Sequence, residues 1–321
     1  AFAGGLVGTQ TGAVTVSDTS GTIAATDLST IGGQTDGVVT AASGGITISG
    51  TAAEVTDALV TTASLVVAGS ADVTITDTGS VAATVLSAIG AKTGGTVTCS
   101  GALTITGTTA ELTAALVTTA SLVVAGTAKL TFTDDPTGAE LAAINPKTSG
   151  TITLADTAQN FSGTATELAA AFDGFGTDAL TGTITITGAA PSPTELKTIS
   201  DATSGAITLP STNFTLSASS SVLADALSGN FTNYAGNVTL TDAAPSAANL
   251  AIINNKTSGT ITLNANDATF SGTAADLSAA FAGGLVGTQT GAVTVSDTSG
   301  TIAATDLSTI GGQTDGVVTA A

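Results

Sequence analysis

Five aspartates, Asp18, Asp77, Asp134, Asp242 and Asp297, sit near the end of successive copies of one phrase: AVTVSDT, DVTITDT, KLTFTDD, NVTLTDA and again AVTVSDT. Carboxylates recurring at fixed spacing can form a calcium ladder, because Ca²⁺ is held by carboxylate and carbonyl oxygens. The same residues can instead accept free backbone N–H groups, as Asx turns or helix caps. Gly188 interrupts the column, and the intervening phrases place Gly50, Gly107, Gly163 or Ala218 there. Successive carboxylates then stand two strands apart, about 10 Å at ~4.8 Å per strand, too far to share one ion. The glycine-rich nonapeptide of calcium-binding β-rolls is also missing from the sequence. Capping is the structural reading of the column, and weak surface calcium binding is its alternative.

A second candidate is a ladder of hydroxyls. Thr74/Thr76, Thr104/Thr106 and Thr131/Thr133 belong to a Thr-x-Thr or Thr-x-Ser pattern that also includes Thr15/Ser17, Thr47/Ser49 and Thr294/Ser296. Flat arrays of this kind on one sheet can bind ice, polysaccharide or mineral. Threonine is equally a good outward residue on a strand, where stacked pairs add cross-strand stability. Most other chemistry is closed to this chain. It has no His, no Arg and one cysteine, Cys99, so a Ser-His-Asp or Cys-His arrangement cannot be assembled from it. A carboxylate pair could cleave glycosides, but the carboxylates recur in each repeat and do not gather at one place. The expectation is a protein that is not an enzyme and has no cofactor beyond the calcium alternative.

Composition narrows the class further. Charged residues make up 9% of the 321 residues, where about a quarter is ordinary. The formal charge of −19 argues against nucleic acid, whose phosphates require a basic surface. No apolar run approaches the ~18 residues of a membrane span. The five cations are Lys92, Lys129, Lys147, Lys197 and Lys256, and Lys92, Lys147 and Lys256 suit the negative end of a helix.

These residues must be positioned by repeats. Residues 1–42 return unchanged as residues 280–321, a period of 279. Within it the AVTVSDT family alternates with a second one: GITISGTAAEVTDAL from Gly45, ALTITGTTAELTAAL from Ala102 and ATFSGTAADLSAAF from Ala268. The elementary repeat is about 28 residues, in the range of solenoids and arrays. Alternation such as Val14-Thr15-Val16-Ser17 predicts a strand buried on one face. Thr51-x-x-Glu54, Thr108-x-x-Glu111 and Thr164-x-x-Glu167 are capping boxes that open helices, and Thr273-x-x-Asp276 is a weaker relative. In the other family Pro136, Pro191 and Pro245 stand at the helix start, where a missing N–H costs nothing. Apolar pairs at i,i+3 (Leu86/Ile89) or i,i+4 (Leu112/Leu116) give each helix one narrow buried stripe. Each helix of the first family leaves through Lys-Thr-Gly-Gly, Lys-Thr-Ser-Gly or a relative, whose Gly can turn the chain into the next strand.

The expected fold class is an α/β solenoid: a parallel β-solenoid with one short helix per ~28-residue coil and two alternating coil types. Residues 1–321 would form one continuous solenoid, a window of a longer array. Ala1-Phe2 reads as the tail of a helix, and Val317-Val318-Thr319-Ala320 as part of a strand. Adjacent helices prefer 8–10 Å, about twice the strand spacing, so a stagger between the two coil types would account for a repeat two coils long.

The phrases SGTAADLSAAF, STIGGQTDGVVTA and AIINNKTSGTITL resemble the repeats of giant secreted cell-surface proteins of marine cyanobacteria, the swimming-motility and surface-filament type. The resemblance covers nearly the whole chain and is one of repeat style and composition. It implies an extracellular location at the cell surface and a mechanical or protective role, with no catalytic residue to carry over. The implied partners are neighbouring copies of the same repeat, end to end, and the cell envelope or other surface proteins. An adhesin or binding module using the stacked threonines is the alternative.

Overall fold

A computed structural model describes residues 10–41, 44–61, 65–118, 122–177, 179–231, 234–298 and 301–320. The expected Ala1-Phe2 helix tail lies outside the described residues. The chain divides into two compact units, Ala1–Asp156 and Thr157–Ala321. Both have an α/β fold in which all strand pairings are parallel.

The first unit contains β1 (Val14–Thr15), β2 (Gly21–Ala24), α1 (Ala25–Gly32), β3 (Val39–Thr40), β4 (Ile46–Gly50), α2 (Ala52–Val55) and β5 (Val66–Val67). There follow β6 (Asp72–Ile75), β7 (Ser80–Ala82), α3 (Ala83–Gly90), β8 (Val97–Cys99), β9 (Thr104–Gly107) and α4 (Thr109–Leu112). The unit ends with β10 (Val123–Val124), β11 (Lys129–Phe132), α5 (Gly138–Ile144) and β12 (Ile152–Thr153). Its sheets run β1-β3-β5, β10-β8-β6-β4-β2 and β12-β11-β9-β7.

The second unit contains β13 (Phe161–Thr164), α6 (Ala165–Phe172), β14 (Ile184–Thr187), α7 (Pro193–Ala202) and β15 (Ile207–Thr208). Next come β16 (Leu216–Ala218), α8 (Ser220–Leu227), β17 (Val238–Leu240), α9 (Ala247–Lys256) and β18 (Ile261–Thr262). Last are β19 (Phe270–Gly272), α10 (Ala274–Phe281), β20 (Val293–Val295), α11 (Ala304–Gln313) and β21 (Val318–Ala320). Each sheet here has three strands, β13-β14-β15, β16-β17-β18 and β19-β20-β21. Each joins one strand of either family to the strand that follows the next helix.

Paired residues lie 22 to 27 apart in sequence, from Leu130 beside Ile152 to Val39 beside Val66. That is shorter than the ~28-residue spacing of the phrases, because the strand after each first-family helix extends the existing sheet.

The core follows from the alternation. Ile46 and Ile48 point inward and are buried, while Thr47 and Ser49, which alternate with them, stay half-exposed. The helix pairs meet them: Leu86/Ile89, Leu141/Ile144, Val55/Leu59 and Leu277/Phe281 are all buried. Each such side chain contributes about 1.5–3 kcal/mol on leaving water. In the second unit Phe161 packs edge-on against Phe172 and Phe270 against Phe281, tying strand to helix.

The three expected capping boxes are complete, and Thr273 accepts from the Asp276 amide. Two more, Thr137/Glu140 and Ser192/Glu195, open helices of the proline family. Pro136, Pro191 and Pro245 therefore stand one residue before the N-cap, buried, and not inside the first turn. There each can pack against the fourth helical residue (Leu141, Leu196 or Leu250) as a hydrophobic staple.

In the repeated phrase ALVTTASLVVAG, α2 and α4 run on into a wider turn in which Thr61 and Thr118 donate to the carbonyls of Thr56 and Thr113, five residues back. Leu65 and Leu122 then adopt left-handed φ values of 52° and 51°, which cost an L-residue about 1–2 kcal/mol. The same turn aims their carbonyls at the Val39 and Val97 amides. Among the described residues no helix is long and apolar enough to cross a membrane.

Candidate functional site

Four of the five aspartates of the column are caps, and each of the four reaches across to another repeat. Asp77 Oδ2 accepts from the Ala52 amide at 2.6 Å, Asp134 Oδ1 from Thr109 N at 2.7 Å, and Asp297 Oδ2 from Ala274 N at 2.6 Å. Asp242 takes both the amide and the hydroxyl of Ser220, at 3.0 and 2.6 Å. In every case the donor is the first residue of a second-family helix, 22 to 25 residues earlier. In α2, α4 and α10 the helix's own capping oxygen is engaged by the third residue's amide, whereas Ser219 before α8 makes no side-chain cap and pairs with the Ser221 hydroxyl. Asp18 is exposed, and no hydrogen-bond partner is seen for it among the described residues.

The second family explains why the column alternates. Gly50, Gly107 and Gly272 stand at the position that the other family gives to aspartate. A Cβ at these glycines would lie 3.0, 3.0 and 2.9 Å from the Cβ of Ala25, Ala83 and Ala247, which begin first-family helices. Four second-family helices (α2, α4, α8 and α10) thus receive a carboxylate at the first turn, and three first-family helices (α1, α3 and α9) receive bare backbone. The two-coil period is accounted for by these alternating contacts.

A third set of residues, unforeseen as a site, does the same work inside the structure. Thr35, Thr93, Thr148, Thr203, Thr257 and Thr314 follow the first-family helices. Their hydroxyls donate to the carbonyls of Gly12, Ala71, Ala128, Gly182, Gly236 and Gly291 in the preceding repeat. Each also accepts from the glycine two residues on: Gly37, Gly95, Gly150, Gly205, Gly259 or Gly316. A Cβ on any of those six glycines would come within 3.0 Å of the preceding repeat's backbone. They lie in the bend that leads into the next strand, as expected, and they are required there for close approach of two backbones as well. The Thr-x-Gly spacing was visible; its partner 20 to 23 residues away was not.

The expected Thr-x-Thr ladder is divided among sheets. Thr74 stacks between Ser49 and Thr98, and Thr106 beside Thr131, which is followed by Thr153. Thr104 is flanked by Ser80 and Lys129. Thr76 and Thr133 lie just past their strands, where their amides donate to the Gly50 and Gly107 carbonyls. The six therefore do not make one two-column array. The second unit carries comparable single columns, such as Ser162-Thr185-Thr208 and Ser217-Thr239-Thr262.

The remaining chemistry is local. Among the described residues the ion pairs both belong to Lys197, 2.5 Å from Asp201 and 3.5 Å from Asp225; the hydrogen bond to Asp201 is the main cause of its raised pKa. Lys256 is the last residue of α9, and its Nζ donates not to that helix's own carbonyls but to the Gly229 carbonyl just past α8. Burial, reinforced by the charge of Asp77, pushes the Cys99 thiol up to about 12, far from a nucleophile at neutral pH. Asn160 and Asn237, each in a glycosylation-type tripeptide, accept with Oδ1 from the Thr183 and Thr260 amides. Among the described residues no group of three or more His, Cys, Asp or Glu side chains is placed to hold a metal ion. A shallow groove of about 450 Å³ lies over α3 and α4, lined by Thr84, Ser87, Ala88, Ala91, Ala110, Glu111 and Ala114. No protein-family model, curated protein or solved structure matches the chain.

Proposed function

We propose that this is a structural repeat protein, secreted to the surface of a bacterial cell, where its repeats stack as an α/β solenoid in a rod, filament or surface layer. The observation that carries the reading is where the recurring polar residues go. Asp77, Asp134, Asp242 and Asp297 cap helices of other repeats, and Thr35 through Thr314 bond to the backbone of the preceding one. Repeats of this kind draw stability from nearest-neighbour interfaces, so the same contacts serve at any length. Neighbouring copies of the same repeat and other envelope components are the partners this implies. No resident cofactor is needed for such a role, and calcium is confined to weak surface binding.

The test is the mass and form of the native polypeptide isolated from its source. A fibre, a lattice or a polypeptide of several hundred kilodaltons supports the proposal; a soluble monomer of about 30 kDa refutes it. The competing reading, an adhesin or binding module, draws on the outward hydroxyl columns such as Ser49-Thr74-Thr98. An ice-shaping or polysaccharide-binding assay on the purified chain decides it, with Thr74→Val as the disrupting variant.

A further inference from the structure

Val38 and Leu65, just before β3 and β5, and Val67 within β5 are 46%, 37% and 48% exposed. With Leu59 and Val60 they line a shallow groove of about 210 Å³ whose one charged residue is Lys92. No partner is seen for the Lys92 ammonium among the described residues. The patch lies well inside the first unit, with β6 to β12 still to follow. β5 is the edge of its sheet, and an exposed apolar edge is a pairing template that folded chains blunt or cover. It is also held at a cost, since Leu65 keeps its left-handed φ of 52°. The next copy of the phrase repeats the exposure, at 36% for Leu122 and 48% for Val124, but has Thr96 where Val38 stands. The groove over α3 and α4 is the complement of this patch. Ala88, Ala91, Ala110 and Ala114 give it small walls, and Glu111 is its one charged residue. Glu111 Oε2 accepts from the Thr108 amide, and no partner is seen for Oε1 among the described residues. Large apolar side chains beside a lone ammonium thus match small ones beside a lone carboxylate. The two surfaces adjoin, since Ala91 lines the second and Lys92 the first.

We propose that two copies of this chain associate side by side about a two-fold axis, the Val38, Leu65 and Val67 patch of each seated in the α3–α4 groove of the other and Lys92 facing Glu111. Neighbouring patches that complement each other close a dimer of this kind, because each contact is made twice. Leaving water supplies the drive for the three apolar side chains, and the ion pair sets the register. The remaining surface works against other pairings. With a formal charge of −19, copies repel wherever no lysine faces a carboxylate. This contact rests on the assembly reading above and adds sideways association to it.

The test is sedimentation of the full chain over a range of concentrations, with one substitution on each surface. Val67 and Ala114 are both exposed, so Val67→Asp and Ala114→Glu should leave the melting temperature unchanged. Each should raise the dissociation constant of the dimer about tenfold or more. Lys92→Glu should weaken it about threefold or more at low salt and less at high salt, where the charges are screened. The pairing itself is read by mixing Val67→Cys chains with Ala114→Cys chains, Cys99 being buried. A short bis-maleimide should then join 67 to 114 between chains faster than it joins either site to its like. Chains that stay monomeric at every concentration, dimers that neither surface substitution weakens, or cross-links that favour 67 with 67 overturn this contact. The form of the native polypeptide decides the assembly reading separately, so the two can fail independently.

Discussion

Asp18 and Asp297 occupy the same place in two identical 42-residue segments, and among the described residues Asp297 caps a helix while no capped helix is seen for Asp18. Replacing each by Ala gives a test in which local sequence is held constant. At Asp297 the change removes a 2.6 Å hydrogen bond from the Ala274 amide. Losing a side-chain cap costs about 1 kcal/mol, within a range of ~0.5–2. The carboxylate also lies at the positive end of α10, adding about 0.3–1 kcal/mol. The expected loss is therefore about 1–2 kcal/mol, or a few degrees in the melting temperature of a unit this size. Asp18→Ala should fall within about 0.5 kcal/mol of the parent, as exposed substitutions usually do. Hydrogen exchange sharpens the comparison, since the Ala274 amide should exchange about 5–30-fold faster in Asp297→Ala only. Equal losses at the two positions, or unchanged exchange at Ala274, would refute the cross-repeat cap.

Three further outcomes follow from the same contacts. Tyr234, 3% exposed and 2.7 Å from the Phe214 carbonyl, has its hydroxyl pushed up by burial to about 12 from an ordinary value near 10. Its neutral form stabilises the fold fully below pH ~10, and this contribution, about 2–3 kcal/mol, is lost as pH rises from there through about 12. As the chain has one tyrosine and no tryptophan, its tyrosinate absorbance should titrate near 12 when folded and near 10 in denaturant. Gly205→Ala should cost about 1–3 kcal/mol, because its Cβ would run into the Gly182 backbone, whereas Gly12→Ala, with nothing within 4 Å, should be near neutral in the same denaturation series. Glu167 and Glu195 are held below the usual carboxylate range, Glu167 mainly by the Thr164 amide and Glu195 mainly by the Thr166 hydroxyl. Their stabilising effect is present above pH ~4.5 and lost as pH falls through the lowered values, so replacing both by Gln should flatten the acid limb of the stability curve.

What could be read from the sequence was whatever a residue does within its own turn. Thr51 and Glu54 are three apart on one helix start, and Ile46 and Ile48 share a face by the geometry of a strand, so both were legible. Thr137-x-x-Glu140 and Ser192-x-x-Glu195 carry the same local signal, but the neighbouring prolines drew the helix start two residues too early. The left-handed Leu65 had no signal, since leucine gives no hint of positive φ. The candidate site was the harder part. An aspartate that caps Ala52 from position 77, or a glycine that touches a backbone one repeat away, depends on register, and register is fixed only when the strands pair.

The same dependence makes the alternation a test of register with a definite sign. If Gly50 were only a flexible turn, Gly50→Asp would copy Asp77 and cap the Ala25 amide, stabilising the first unit by about 1 kcal/mol. The contacts give the opposite result. A Cβ at Gly50 would lie 3.0 Å from the Ala25 Cβ and 3.1 Å from Glu54 Oε2, which already accepts from the Thr51 amide. The new side chain would crowd the alanine and set a second carboxylate against the first. Gly50→Asp is therefore expected to cost about 1–3 kcal/mol, and Gly50→Ala, without the charge, should cost less. Raising the salt should recover part of the difference between them, because only the carboxylate repulsion is screened. Denaturant midpoints of the three proteins at low and high salt decide the matter. An aspartate at position 50 that stabilised the chain would mean that either family can cap either helix, and the two-repeat period would need another cause.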